Sequence, residues 1–221
     1  ELAINASIIQ TKDWDLDFGL NYTTLSNKVK ELAPGVESIF LGGFVEPQIR
    51  AQAGYTYPII FGTALKRDAQ GRLLLSDGLP QGTADSQALG ECTPDFNMGF
   101  NLRARWKRLT LTATMDWQKG GKMYNGTLLT LNYFGATKES LPYHEGTMVA
   151  EGIDEATGQP NTVEVNKQEY WMALNDVTES GVYDRSYLKL RDLTLNYQLP
   201  KFFGRLDISV YGFARNVLLW S

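Results

Sequence analysis

Asp13, Asp15 and Asp17 alternate along the chain, and alternating carboxylates are how a calcium-binding loop begins. The rest of that loop is missing. Phe18 stands where the turn glycine belongs, and Thr24 stands where a bidentate glutamate should close the shell. In an extended segment Asp15 and Asp17 would instead be polar-face residues, and they are read here as structural carboxylates. His144 is the only histidine, which removes histidine-cluster metal sites and leaves one residue through which any triad would have to run. No GxSxG phrase accompanies it, and it reads as an exposed loop histidine between Pro142-Tyr143 and Glu145-Gly146. Cys92, the single cysteine, excludes an intrachain disulfide and reads as a neutral loop residue. Lys119-Gly120-Gly121-Lys122 lacks the spacing of a phosphate-cradling loop, and Asp68-Ala69-Gln70-Gly71 reads as a turn. The sequence therefore nominates no catalytic residue, no metal ligand and no cofactor.

Aromatic side chains are the remaining chemistry. Residues 119–185 carry Tyr124, Tyr133, Phe134, Tyr143, Tyr170 and Trp171. Aromatic faces stack on sugar rings and line peptide pockets, which makes Tyr133, Phe134 and Trp171 the candidates for substrate contact. The same rings could simply anchor a long loop.

The elements that would hold these residues are strands. Phe96, Met98, Phe100, Leu102, Ala104 and Trp106 alternate with polar or small residues, and after Lys107-Arg108 the pattern resumes at Leu109, Leu111, Ala113, Met115 and Trp117. A two-residue turn pairs Trp106 with Leu109, Ala104 with Leu111, Leu102 with Ala113 and Phe100 with Met115, so the apolar faces agree across the hairpin. Lys-Arg is not a usual sequence for such a turn. Near the start, a loop of Thr11, Lys12 and Asp13 pairs Ile8 with Leu16, Ala6 with Phe18 and Ile4 with Leu20. Near the end, Leu193, Leu195, Tyr197 and Leu199 precede a turn from Pro200 to Gly204, and Leu206, Ile208, Val210, Gly212 and Ala214 continue the pattern. Leu188 and Leu190 fall in the opposite phase from Leu193, which predicts a bulge near Arg191-Asp192. No leucine-rich helical period competes, and about eight strands are expected in all.

These strands run to about 9–13 residues, the length of a tilted membrane strand. Short turns at Lys12, Lys107 and Lys201 alternate with the long segments 27–95 and 119–185, the asymmetry of outer-membrane barrels. Trp14, Trp106 and Trp117 at strand ends fit an interfacial girdle. In such a barrel Phe100, Leu102, Leu109, Leu111, Leu195 and Ile208 would face lipid. Arg103, Arg105 and Asp116 would face the lumen near the short-turn rim. Periodicity alone is matched equally by a soluble all-β sandwich, such as a carbohydrate-binding module, in which the apolar face is the core. A hydrolase on a β scaffold would need an acid/base pair in a cleft, and no local motif supplies one.

Composition is compatible with both β readings. The 221 residues are enough for one or two domains, and 43% hydrophobic against 21% charged excludes a disordered chain. A net charge of −4 offers no basic patch for nucleic acid. No run of 18 apolar residues exists to cross a membrane as a helix, while the mean hydropathy of −0.26 is ordinary for barrel strands that show lipid every second side chain. The opening ELAINASIIQ lacks a basic-then-apolar leader, and both ends read as cuts in a longer chain.

Four phrases in order carry a family resemblance. They are IIQTKDWDLDFGLNYTTLSNKVKEL (residues 8–32), LGECTPDFNMGFN (89–101), WQKGGKMYN (117–125), and SYLKLRDLTLNYQLP (186–200) followed by RLDISVYGFARNVLLWS (205–221). Together they resemble the barrel hairpins of SusC/RagA-family TonB-dependent outer-membrane receptors, with Asp184 supplying the family's aspartate and Ala214 replacing its glycine before Arg215. The resemblance implies that residues 1–221 are the C-terminal part of a 22-stranded barrel, without its plug and with the final strand beyond Ser221. It further implies import of glycans, oligosaccharides or peptides, TonB as energy source, a SusD-like surface lipoprotein as partner, and the bacterial outer membrane as location.

Overall fold

Alternation of side chains governs the main sheet. The computed structural model describes residues 1–201 and 206–221. Six long strands run through it: β1 (Leu2–Gln10), β2 (Trp14–Thr23), β3 (Phe96–Trp106), β4 (Leu109–Lys119), β5 (Tyr187–Gln198) and β6 (Ser209–Trp220). They form one antiparallel sheet in chain order. About eight strands were expected; the sheet has six, because the other strands are short and belong to a second unit. The chain divides into Glu1–Ser26, Pro94–Gly121 and Arg185–Ser221, which hold the long sheet, and Asn27–Thr93 with Lys122–Asp184.

In the first unit the register aligns apolar side chains in rows that cross every strand. One row reads Ala6, Phe18, Leu102, Ala113, Leu193 and Ala214; the next reads Ile4, Leu20, Phe100, Met115, Leu190 and Leu218. The opposite face carries rows such as Ser7, Asp17, Arg103, Thr112 and Thr194. A one-residue slip among β2, β3 and β4 would mix the faces, so hydrophobic patterning specifies the register of these central strands.

The β3–β4 hairpin has the partners of a two-residue turn, with Lys107 in the left-handed region at φ 54°. Only one of the two turn residues carries positive φ, which departs from the Asn-Gly type that needs both. The first hairpin corrects an expectation. Ile9, not Ile8, pairs with Leu16, because Ile8 is an extra residue between Ser7 and Ile9. The bulge moves the odd-numbered Ile9 onto the apolar face. At Arg191 a second bulge, present in both neighbouring ladders, returns Leu188 and Leu190 to the face of Leu193. The expected turn from Pro200 to Gly204 lies, from Phe202 onward, outside the described residues.

Neither face of this sheet forms a dry core. All ten buried hydrophobic residues among those described lie in the second unit. Leu102 is 37% exposed and Val210 is 60% exposed, while Phe100 and Leu111 remain half-buried. A soluble sandwich would have buried Phe100 and Leu111 completely.

The second unit is built from the two long segments together. Its four-stranded sheet, Ser38–Gly43, Gln48–Gln52, Ile59–Gly62 and Gln87–Glu91, comes from the first segment. The strand Ile153–Asp154 of the second segment pairs in parallel with Leu74–Ser76 of the first. Ile59, Ile60, Phe61, Leu75, Ile153 and Val177 make its core. Two helices interrupt the second segment, α1 (Gly126–Tyr133) and α2 (Lys167–Asn175), capped by the side chains of Asn125 and Asn166. The sequence offered no helical period here, since α1 and α2 are only two turns long.

Glutamates join the two segments. Glu46 Oε2 accepts from the Thr63 amide at 2.9 Å and the Thr178 hydroxyl at 3.0 Å, and Oε1 accepts from Ser86 at 2.5 Å. Burial pushes this carboxyl up, but the bonds from Ser86, Thr63 and Thr178 together outweigh burial and hold it below the usual glutamate range. Glu179 accepts from the Leu65 amide and forms a two-point pair with Arg67, at 2.9 and 2.8 Å.

Two predictions follow from these contacts. Because Glu46 is depressed, its stabilisation is complete at neutral pH and is lost as pH falls through its folded value, below the ordinary glutamate range. Thermal unfolding of Glu46→Gln should therefore show a weaker acid dependence than the wild type; identical pH profiles would contradict this. Gly120 sits at φ 75°, and a Cβ there would stand 2.5 Å from the Asp95 carboxylate. Gly120→Ala should cost about 1–2 kcal/mol from backbone strain, plus the clash, read as a lowered unfolding midpoint in detergent.

Candidate functional site

The best candidate site lies within the second unit, where α1, α2 and the 3-10 turn Leu141–Tyr143 converge. Asn125 caps α1 by accepting from the Leu128 amide at 3.0 Å. The helix ends at Tyr133-Phe134, and the next residue, Gly135, takes φ 68°. Asn166 caps α2 by accepting from the Gln168 amide at 2.8 Å. Gln168, Trp171 and Met172 then share one helical face by their i, i+3, i+4 spacing. That spacing is the signal that could have added Gln168 and Met172 to the sequence-derived candidates.

Tyr133, Phe134 and Trp171, nominated separately, line one cleft of about 280 Å³ with Tyr143 and His144. Tyr143 stacks on Trp171 at 4.5 Å between ring centroids and 24° between planes. Tyr133 and Phe134 meet edge to face at 5.1 Å. Phe134 is 75% exposed, so its face is open. The Trp171 indole N–H donates to the Asn132 carbonyl at 2.5 Å and ties α2 to α1. Burial raises the Tyr170 phenol above its ordinary value, and Tyr143 adds to the shift. Tyr143 and Tyr170 stack at 6.2 Å.

His144 is an exposed residue, but it is anchored. Its Nε2 lies 3.0 Å from the Gly135 carbonyl and 3.1 Å from the Ser140 hydroxyl. A carbonyl can only accept, so Nε2 carries the hydrogen. Ser140, fully buried, donates its own hydrogen to the Thr137 carbonyl at 2.7 Å. Neither partner is arranged as base or nucleophile, so the Ser140–His144 contact is a structural brace and not a catalytic dyad.

The polar-face candidates of the long sheet are not gathered into a site. Arg103 pairs with Asp17 at 3.1 Å and Arg105 with Asp15 at 2.5 Å, while Arg191, the bulge residue, pairs with Asp116. Asp15 and Asp17 are thus occupied by arginines on the neighbouring strand. Asp116 was expected near the short-turn rim with the two arginines; it pairs with Gly99 instead, towards the ends where β3 begins and β4 finishes. Phe100, Leu102, Leu109, Leu111 and Leu195 share the apolar face, and Ile208, just before β6, accepts from the Leu199 amide at 2.9 Å. Rings cluster at both ends of that face. Trp14 meets Trp106 at 5.9 Å beside the short turns, and Phe96 meets Trp117 at 5.0 Å and Tyr22 at 5.7 Å at the other end.

The indole tie has a measurable weight. Trp171→Phe keeps a ring in the cleft but leaves the Asn132 carbonyl without its donor, at a cost of about 0.5–1.5 kcal/mol. Hydrogen exchange should quicken in α1 and α2 and stay unchanged in β3 and β4. Unchanged exchange in the helices would show that the bond contributes nothing.

No family model matches the chain. It is 27% identical over 252 aligned residues to the TonB-dependent receptor P3 of Formosa agariphila, covering all of this chain and 24% of that protein. Among solved structures it superposes on the RagAB peptide transporter at a TM-score of 0.67 with 21% identity, over 99% of this chain and 25% of that one. The RagAB peptide importer in its open-open state gives 0.66 and 19%, over 99% and 24%. The chain thus spans about a quarter of the length of the proteins it matches. Those relatives are receptors and transporters, not enzymes. With its long-stranded antiparallel sheet and aromatic-flanked apolar face, the chain is similar to part of a TonB-dependent receptor and shares the fold of the matching part of the RagAB transporter, proteins of the bacterial outer membrane.

Proposed function

We propose that these residues form part of the wall of a large, plugged barrel of the 22-stranded type, the C-terminal portion of a receptor that imports oligosaccharides or peptides with energy from TonB. The observation that carries this reading is the unburied apolar face between two clusters of aromatic rings. From Phe96 to Trp106 the strand rises about 33 Å. At a barrel tilt of about 40° this spans roughly 25 Å, the height of a lipid-facing band. On this reading Phe100, Leu102, Leu109, Leu111, Leu195 and Ile208 meet lipid, and Arg103, Arg105 and Asp116 face the lumen with their ion-pair partners. Pairing each arginine with a carboxylate keeps that wall polar but nearly neutral. A plug would belong to the parent receptor, with TonB as its energy source and a SusD-like lipoprotein as its surface partner. RagAB, similar in fold, is a peptide importer. Tyr133, Phe134 and Trp171 are the proposed contacts for cargo.

Orientation is tested by a pair of substitutions. Leu102→Arg, on the apolar face at mid-strand, should cost about 2–4 kcal/mol of folding stability in lipid, and the adjacent Asn101→Arg much less. Equal effects would argue against a lipid-facing apolar side. Import is tested in cells, by comparing uptake of fluorescent oligosaccharides and peptides with and without the receptor gene and with TonB inactivated. Uptake of every probe that is indifferent to both losses would end the transport reading.

A further inference from the structure

The cleft between α1 and α2 contains no charged side chain, although charged residues are common elsewhere in the second unit. Its walls are rings, and beside the Tyr133 and Tyr143 phenols its side chains offer two further acceptors. With Nε2 holding the hydrogen given to Gly135, the neutral His144 ring presents Nδ1 as an acceptor. Gln168 Nε2 donates to the His144 carbonyl at 2.5 Å, which fixes the amide and leaves its Oε1, also an acceptor, without a protein partner among the described residues. Two acceptors beside an open aromatic face suit a ligand that offers hydroxyl donors around a ring with a C–H face. A free peptide terminus or a charged side chain would find no counter-charge here.

Size narrows the ligand further. About 280 Å³ lies at the lower limit of the roughly 300–1,000 Å³ typical of ligand clefts, which leaves room for one ring and part of a neighbour. The platform is also pre-organised. Trp171 is held by Asn132 and stacked on Tyr143, and His144 is braced by Gly135 and Ser140, so binding would order few side chains.

We infer that this cleft is a subsite for a single uncharged pyranose unit, with Phe134 as the stacking face and His144 Nδ1 and Gln168 Oε1 as hydroxyl acceptors. The inference deepens the import reading by choosing sugar over peptide at this position, and it rests on that reading only for the origin of the ligand.

The test uses the intact receptor that contains this chain, purified in detergent, where binding needs neither TonB nor an energised membrane. Saturation-transfer NMR would be recorded with methyl β-glucopyranoside, methyl α-mannopyranoside and methyl β-galactopyranoside, and with the capped tripeptide N-acetyl-Ala-Pro-Ala-amide. At least one pyranoside should bind, with the strongest transfer to its ring C–H protons. Phe134→Ala should weaken that binding about tenfold, the value of one aromatic stack, and Phe134→Trp should retain it. Phe134 is largely exposed, so neither change threatens the fold. Absence of binding by all three pyranosides, indifference to Phe134→Ala, or binding of the tripeptide with sensitivity to Phe134→Ala would each overturn the inference. The import reading stands or falls separately, on whether cellular uptake depends on the receptor gene.

Discussion

Register across six strands is the constraint on which the sheet depends. On one face the pairing from β1 to β6 sets apolar side chains in continuous rows, and two bulges keep those rows in line where the sequence changes phase. In a globular protein this order would be rewarded by burial. Here the rows stay open, with their rings at the two ends, and the surrounding medium must supply what a second sheet would otherwise provide. On the proposed reading lipid would do this without adding protein atoms, so that a sheet with no dry core of its own can still be strongly specified.

The polar face obeys a second rule. Asp15, Asp17 and Asp116 are each met by an arginine from an adjacent strand. The arginine for Asp116 comes from the Arg191 bulge, so an irregularity that keeps leucines in phase also delivers a cation to the opposite side. Such exposed pairs add little stability individually. Their effect is to let this face carry charged groups with their charges locally balanced.

Much of the long sheet was legible in the sequence, since period-two patterning is local and the β3–β4 pairing follows from turn length alone. The Arg191 bulge was legible for the same reason, as a phase change between Leu190 and Leu193. Ile8 and Ile9 were not resolved, because two adjacent isoleucines fit the apolar face equally well and only the ladder shows which is extra. The short strands and helices of the second unit were invisible: α1 and α2 are two-turn elements held by single asparagine caps and by contacts distant in sequence. For the cleft, ring identities pointed to Tyr133, Phe134 and Trp171, but their convergence depends on the bond from Trp171 to Asn132, 39 positions away. His144 looked like an idle loop residue because its partners, Gly135 and Ser140, have no sequence signature.

The carboxylate joints between the two long segments carry a consequence for inheritance. Glu46 reaches Thr178 across 132 positions, and Glu179 reaches Arg67 across 112. A recombination that exchanged only one segment between related receptors would leave each glutamate facing a stranger. The viable unit of exchange is therefore the whole stretch from Asn27 to Asp184, with the β3–β4 hairpin carried along as a passenger. Diversity in this unit would then be shuffled in blocks, and β3 and β4 inside a block would share the ancestry of the segments that flank them.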